Sequence, residues 1–388
     1  MAERLPKADW TQREDLAELV AALGSSNVRY VGGAVRDTLL EIAVKDVDLA
    51  TPLVPEDVIA RLDAAGIRNV PTGIEHGTIT AILSEGPVEI TTLRRDVSTD
   101  GRRATVAFAT DWKEDAARRD FTINALYADP DTHEIFDYFG GRDDIASRTV
   151  RFIGDAHERI REDHLRILRY FRFQARFGSQ IADKASEKSC AELAAMLKGL
   201  SRERVGMEML NTLGLPDPAP TVARMAQLGV LEQILPEGDP RALAALIAEE
   251  QRQGVKPDAI RRLAALLPPD PELAKQVAAR FRLSGAQKKR LMRAAGREDK
   301  PGEARALAYR LGHEQALDRL LVAGADIGTL NGWDIPALPL KGGEIVARGV
   351  AAGPQVARIL QAVEARWVAE GFPGRSRVEA ILGEELGR

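Results

Sequence analysis

The chain has 388 residues, 45% of them hydrophobic and 29% charged, too long for one ordinary core and too apolar for a disordered chain, so two or more globular domains are expected. Its 54 Lys and Arg against 58 Asp and Glu leave a formal net charge of −4, so overall charge does not announce a nucleic-acid binder, although a local basic face would suffice for one. The lone Cys190 excludes an internal disulfide, no apolar run is long enough for a bilayer, and the first ten residues carry no apolar signal core; a cytoplasmic protein is expected.

Residues 11–23 show helical periodicity, with Thr11 placed to cap the helix. The apolar run Val28–Val31 reads as a buried strand, followed at once by Gly32 and Gly33, which allow a sharp turn and close approach to a ligand. A short helix is expected over 34–40, so an anion above the glycines would meet free N–H groups at its start. Asp46-Val47-Asp48 follows; on a strand its two carboxylates point to one side. Two such charges need a cation between them, and Mg²⁺ suits carboxylate oxygens and shares its shell with substrate phosphates. A triphosphate-holding turn just before a metal-binding D-x-D is the logic of nucleotidyl transfer. The ordinary alternative, a surface D-x-D beside a plain strand–helix turn, is countered by Gly32, Gly33, Arg36 and Asp37 occurring with it.

A helix is expected over 55–65, then strands over 67–70, 78–83 and 88–92. Glu89, on the third, is a candidate third carboxylate; otherwise it is a solvated edge residue. Arg94, Arg95 and Asp96 close that strand. The polar stretch 96–103, with a central glycine, reads as a flexible loop. A helix over 112–118 leads into Arg118-Arg119-Asp120-Phe121-Thr122-Ile123-Asn124, a turn-and-strand unit. Its arginines suit triphosphate oxygens, and Asp120 and Asn124 suit ribose hydroxyls; alternatively the arginines only satisfy the last carbonyls of a helix. Residues 137–142 read as a turn opening a helix over 141–146.

Beyond about residue 155 the strand signals vanish. A basic amphipathic helix is expected over 163–177. Further helices are expected near 185–198, 201–213, 217–228, 241–252, 257–266, 271–281, 284–296, 302–311, 314–323, 343–348 and 354–370, with the last dozen residues uninformative. Asp163 and Arg166 would share a helix face. Cytosine and adenine each offer an amino donor beside a ring acceptor, which a carboxylate and a guanidinium match. Uracil and guanine reverse the order, and each unpaired group costs about 1–3 kcal/mol. The pair would then select CTP and ATP. The commoner fate of such a pair is a surface salt bridge. Arg169 and Arg172 add positive charge for phosphate or RNA, and Lys288, Lys289, Arg290, Arg293 and Arg297 form a basic run that is either a solvated face or an RNA contact. The five histidines show no metal spacing, and no G-x-x-x-x-G-K-[ST] loop occurs, which excludes a P-loop.

Taken in order, Gly32-Gly33-x-Val35-Arg36-Asp37, Asp46-x-Asp48, Arg118 to Leu126, Asp137-x-x-Gly140-Gly141 and Glu162-Asp163-x-x-Arg166 resemble the class II CCA-adding tRNA nucleotidyltransferase and bacterial poly(A) polymerase family. The match is dense over residues 28–177 and looser beyond. The resemblance implies an α+β protein: a nucleotidyltransferase-type mixed-sheet head (1–150), then an all-α neck for base selection (151–215) and an all-α body and tail for tRNA (216–388), in a seahorse-like arrangement. It implies two Mg²⁺ on Asp46 and Asp48, triphosphate on Gly32, Gly33 and Arg36, ribose on Asp120 and Asn124, base selection by Asp163 and Arg166, and tRNA, CTP and ATP as partners, with no protein partner or membrane. Glu41 stands where the family usually has glycine, with little effect expected. Residues 96–106 resemble the family's flexible loop, which favours complete CCA addition. A poly(A) polymerase, an enzyme adding only CC or A, and a catalytically silent RNA-binding protein are the rivals.

Overall fold

The computed structural model describes residues 3–100, 103–179, 181–297 and 303–387, with the backbone alone over 96–100 and 103–106. It divides into two units, Met1–Pro236 and Glu237–Arg388.

The first unit holds a seven-stranded sheet built from β1 (Arg29–Val31), β2 (Val47–Thr51), β3 (Asn69–Gly73), β4 (Thr78–Leu83), β5 (Gly86–Thr92), β8 (Leu126–Ala128) and β9 (Ile135–Asp137), in the order β3-β4-β5-β2-β1-β8-β9. β6 (Arg94–Asp100) and β7 (Arg103–Phe108) form a separate antiparallel ribbon. In the large sheet only β2 and β5 run parallel, with Asp48 opposite Glu89 in register. The period of two explains why. Val47 and Leu49 on β2 and Val88 and Ile90 on β5 are buried, which turns Asp48 and Glu89 to the other face.

The helices of this unit are α1 (Glu14–Leu23), α2 (Gly33–Leu39), α3 (Pro55–Ala64), α4 (Trp112–Ala117), α5 (Gly141–Ala146), α6 (Ala156–Glu162), α7 (Arg166–Phe177), α8 (Lys184–Glu192), α9 (Arg202–Leu213), α10 (Ala219–Gln227) and α11 (Val230–Ile234). α1 packs on α3, and Leu16, Leu19 and Leu23 of the one and Val58 and Leu62 of the other are buried. Gly141 opens α5 where an added Cβ would meet the Thr122 carbonyl oxygen at 2.3 Å. Asp137 fixes that turn by accepting the Phe139, Gly141 and Arg142 amides. The D-x-x-G-G spacing is thus a buttress behind residues 120–126.

Several expectations need correction. Thr11 does not cap α1: it sits in a 3-10 turn, Asp9–Gln12, with its hydroxyl on the Ala8 carbonyl, and α1 starts later at Glu14. Asp46 precedes β2 and is not part of the strand. The stretch read as a flexible loop pairs as β6 and β7, because Val97, Thr99, Thr105 and Val106 favour extended backbone; Gly101 and Arg102 lie outside the described residues. The helix expected over 163–177 is α7 and starts three residues later, at Arg166; a separate α6, not expected, precedes it and ends at Asp163, whose φ and ψ are −150° and 105° and whose carboxylate accepts the Leu165 amide at 3.1 Å. An aspartate that bonds the backbone two residues on competes with the helix in this way. Glu41, expected to matter little, takes a left-handed φ of 58°. Glycine adopts that conformation freely and glutamate does not.

The second unit is helical: α12 (Pro240–Arg252), α13 (Ala259–Leu266), α14 (Pro271–Arg280), α15 (Gly285–Ala295), α16 (Ala304–Leu311), α17 (His313–Val322), α18 (Gly342–Ala347), α19 (Pro354–Ala369) and α20 (Arg375–Leu386). Residue 302, the expected start of α16, lies outside the described residues. Asp239 and Asp270, each followed by proline, cap α12 and α14 with their side chains. α20 occupies the stretch that carried no legible signal; Val378, Ile381 and Leu382 bury against Trp367 and Val363 of α19. Between the helices lies a buried ion network. Glu250 accepts from Arg261 at 2.7 Å and Arg262 at 2.8 Å, and Asp318 accepts from Arg290 at 2.6 Å. This commits much of the expected basic run inward: Arg293 bonds Gln315 and Arg297 bonds the Ala264 and Leu267 carbonyls, which leaves Lys288 and Lys289 as its remaining members. No described helix is long and apolar enough to cross a membrane.

Candidate active site

Gly32 is the N-cap of α2 with a φ of 67°, and a Cβ there would stand 3.4 Å from Arg119 Nη1. The turn is therefore open and glycine-dependent, and it forms one wall of a cleft of about 410 Å³. Gly32, Gly33 and Arg36 line the cleft from α2, Asp48 from β2, and Arg119, Asp120 and Asn124 from the segment after α4. Asp163, Arg166, Arg169 and Phe173 line it from the α6–α7 junction and α7.

The cations are held in fixed directions. Arg36 is buried, donates to Asn124 Oδ1 and to Asp37, and lies 4.2 Å over the Phe177 ring. Burial pulls its pKa below the ordinary arginine value, with Asp37 acting against that. Arg119 donates Nε to the Tyr127 hydroxyl and Nη2 to Asp115, both at 3.2 Å. Burial opposes its charge, but Tyr127 and Asp115 more than restore it, and its pKa lies above the usual range. Asp120 is saturated: Oδ1 takes the Phe121 amide and Asn124 at 2.9 Å, and Oδ2 takes Arg169 Nε at 2.9 Å. Burial works against that carboxylate, but Arg169 and Asn124 hold it ionised and below its usual range.

Asp48 is the opposite case. Burial raises its pKa to about 6, Glu89 and Asp46 add to the rise, and Arg119 pulls against it. Among the described residues no group of three His, Cys, Asp or Glu side chains gathers in metal-holding geometry. The carboxylates of Asp46 and Asp48 fit a hard cation that completes its shell with phosphate and water oxygens.

Asp163 and Arg166 reach the same cleft without sharing a helix face. Asp163 is held by Arg204 of α9 at 2.6 Å, and Arg166 donates Nη1 to the Arg159 carbonyl at 2.8 Å and to Glu162. Asp46, Glu89, Arg94 and Arg172 do not line the cleft. Asp46 is exposed just before β2, Glu89 is exposed on β5 beside Asp48, and the Arg94 amide donates to Asp115. Arg172 donates to Glu208 at 2.7 Å. Sequence reasoning passed over Phe173, Asp115, Tyr127, Arg204 and Glu208. Asp115 lies just ahead of Arg118 and Arg119, on the helix that leads into them, but nothing in one sequence marks which acid supports which arginine.

Residues 28–151 match the family model of the poly A polymerase head domain, and residues 182–241 match that of a probable RNA and SrmB-binding site of polymerase A. The mitochondrial CCA tRNA nucleotidyltransferase 1 of Mus musculus is 34% identical over 380 residues, spanning 92% of this chain and 87% of the relative. The chain belongs to the CCA tRNA nucleotidyltransferase and poly(A) polymerase family. Another member, the CCA-adding enzyme of Enterococcus faecalis, is 41% identical over 189 residues, 47% of this chain and 44% of that one. Among solved members, the Bacillus stearothermophilus CCA-adding enzyme in complex with CTP superposes with a TM-score of 0.73 at 26% identity, covering 97% of this chain and 98% of that one. The Thermotoga maritima CCA-adding enzyme complexed with tRNA shares the fold, with a TM-score of 0.70 at 21% identity over 96% of this chain and 94% of that one.

Proposed function

We propose that this chain adds C, C and A in turn to the 3′ end of tRNA, taking CTP and ATP and using no nucleic-acid template. The observation that carries the reading is one cleft lined by the Gly32-Gly33 turn, Asp48, Arg36 and Arg119 on one side and by Asp163 and Arg166 on the other. In this reading the tRNA 3′-hydroxyl attacks the α-phosphorus of the nucleotide and pyrophosphate leaves. Asp46 and Asp48 would hold Mg²⁺, two ions by family likeness, with Glu89 as the neighbouring third carboxylate. The bound metal would acidify the hydroxyl and offset charge on the leaving group. Arg36 and Arg119 orient the triphosphate, and Gly32 and Gly33 let its oxygens approach the start of α2. Arg94 at the root of the ribbon adds positive charge nearby. Asp120 and Asn124 set the ribose position, with Asp120 acting through Asn124 and through Arg169.

Asp163 and Arg166 read the base edge. Each Asp163 oxygen accepts one protein donor and keeps a lone pair for the amino group of cytosine or adenine. Arg166 Nε and Nη2 have no protein partner among the described residues and suit the ring nitrogen. Arg172 anchors α7 to α9 through Glu208. Residues 1–150 would carry catalysis, 151–215 base selection and 216–388 the tRNA. The lone Cys190 supports a cytoplasmic setting, which cell fractionation tests.

Incorporation of labelled CTP and ATP into tRNA lacking its last three nucleotides, with Mg²⁺ present, tests the proposal. Addition of three nucleotides and then arrest supports it. A long A tail, arrest after CC, or no addition would overturn it in favour of a poly(A) polymerase, a partial enzyme or a silent RNA-binding protein.

A further inference from the structure

Asp115 sits on α4, 2% exposed, and takes no part in the roles assigned above. Four donors converge on it. Oδ2 accepts Tyr127 Oη at 2.7 Å and Arg119 Nη2 at 3.2 Å; Oδ1 accepts Arg118 Nε and the Arg94 backbone amide, both at 3.1 Å. Tyr127 in turn accepts Arg119 Nε at 3.2 Å. Two of the three guanidinium nitrogens of Arg119 are thereby fixed from behind. The third, Nη1, has no protein partner among the described residues and lies beside Gly32 at the cleft wall. The Arg94 amide is the first residue of β6, so one carboxylate also ties down the root of the β6–β7 ribbon.

We infer that Asp115 is a positioning residue for nucleotide binding: with Tyr127 it aims Arg119 Nη1 at the triphosphate and links that aim to the root of the β6–β7 ribbon. The inference rests on the reading of the cleft as a nucleotide site. An arginine held at two nitrogens loses little freedom when the third meets an anion, so its contribution is available without reordering. Without Asp115 the same arginine keeps its charge and loses its direction.

The test is calorimetric binding of CTP to the full chain with metal chelated, alongside steady-state CTP incorporation, for wild type, Asp115→Asn, Tyr127→Phe, Arg119→Ala and the double variant Asp115→Asn/Arg119→Ala. Asp115→Asn should weaken CTP binding about tenfold and Tyr127→Phe a few-fold, at a temperature where thermal melts show each variant folded. In the Arg119→Ala background Asp115→Asn should change binding less than about twofold, because its effect runs through Arg119. A folded Asp115→Asn that binds CTP like wild type, or a loss that persists undiminished without Arg119, would overturn the inference. Should Asp115→Asn fail to fold, Tyr127→Phe and its combination with Arg119→Ala carry the same test. Wild-type binding without tRNA extension would overturn the proposed function and leave the positioning role standing; no CTP binding by wild type would overturn both.

Discussion

Asp48 on β2 stands opposite Glu89 on β5 in the parallel register, and the two carboxylates share the face turned away from the core. Burial and this neighbour raise Asp48 from 3.8 to about 6. The sign follows directly. Between those two values the folded protein holds a proton that the unfolded chain has released, so stability falls as pH rises through that window. The full shift corresponds to about 3 kcal/mol as a ceiling, reduced because the carboxylate keeps some contact with solvent. The metal-free protein should therefore gain several degrees in Tm at pH 7.5 on Asp48→Asn and little at pH 4. Mg²⁺ should raise the wild-type Tm at pH 7.5 more than at pH 5 and should lose that effect in Asp48→Asn. Thermal melts with and without EDTA read both.

Base selection divides between a reader and its holder. Arg166→Ala should let UTP and GTP compete with CTP and ATP, raising their misincorporation by about tenfold or more from the loss of one discriminating group. Arg204→Ala leaves every cleft-lining atom in place and removes the partner that holds Asp163 at 2.6 Å. Its effect should have the same direction and be smaller. Competition assays with mixed nucleotides measure the ratio, and strict rejection of UTP and GTP by Arg166→Ala would end the edge-reading account.

Gly32→Ala adds a Cβ at a φ of 67° and 3.4 Å from Arg119 Nη1. With ψ at −117° this is not the left-handed helical conformation but a sparsely populated one, and it costs about 1–3 kcal/mol. Nucleotide KM should rise while melting shows a folded protein, because the added methyl occupies the side from which the triphosphate approaches. Steady-state kinetics with CTP check it.

Glu41→Gly should act in the other direction. Relief of the left-handed φ of 58° outweighs the entropy that glycine loses on folding, for a net gain of roughly 0.5–1 kcal/mol. Urea denaturation gives the number.

In the second unit, Glu250 is 1% exposed between Arg261 and Arg262. Glu250→Ala removes the buried carboxylate that Arg261 and Arg262 share, while Arg261 keeps Asp318 and the Lys256 carbonyl, and should cost about 3–5 kcal/mol. A urea midpoint unchanged from wild type would contradict the structural weight given to this network.

The sheet, the Gly-Gly turn and the helical second half were legible because each rests on local signals: period-two alternation around Asp48, glycines before α2, and the loss of strand signals with continuous helical patterns beyond about residue 155. What escaped depends on contacts between distant segments. Asp163 and Arg166 do meet in the cleft, but the helix-face argument that paired them fails, since Asp163 ends α6 and Arg166 starts α7. β9 is three residues long, too short for periodicity to mark. Arg169 and Arg172 read as free positive charge, yet each is spent on a carboxylate, Asp120 or Glu208, that no spacing rule connects to it. Asp115 and Arg204 are invisible for the same reason: their work is to hold other side chains.

The central claim is that the Asp48 face of this cleft performs nucleotidyl transfer. Single-turnover incorporation of labelled CTP into tRNA lacking its last three nucleotides, run with wild type and Asp48→Asn side by side and with tRNA affinity measured for both, tests it most directly. The account predicts a loss of about a thousandfold or more in the variant with tRNA affinity within about twofold of wild type. Incorporation by Asp48→Asn at the wild-type rate would contradict it.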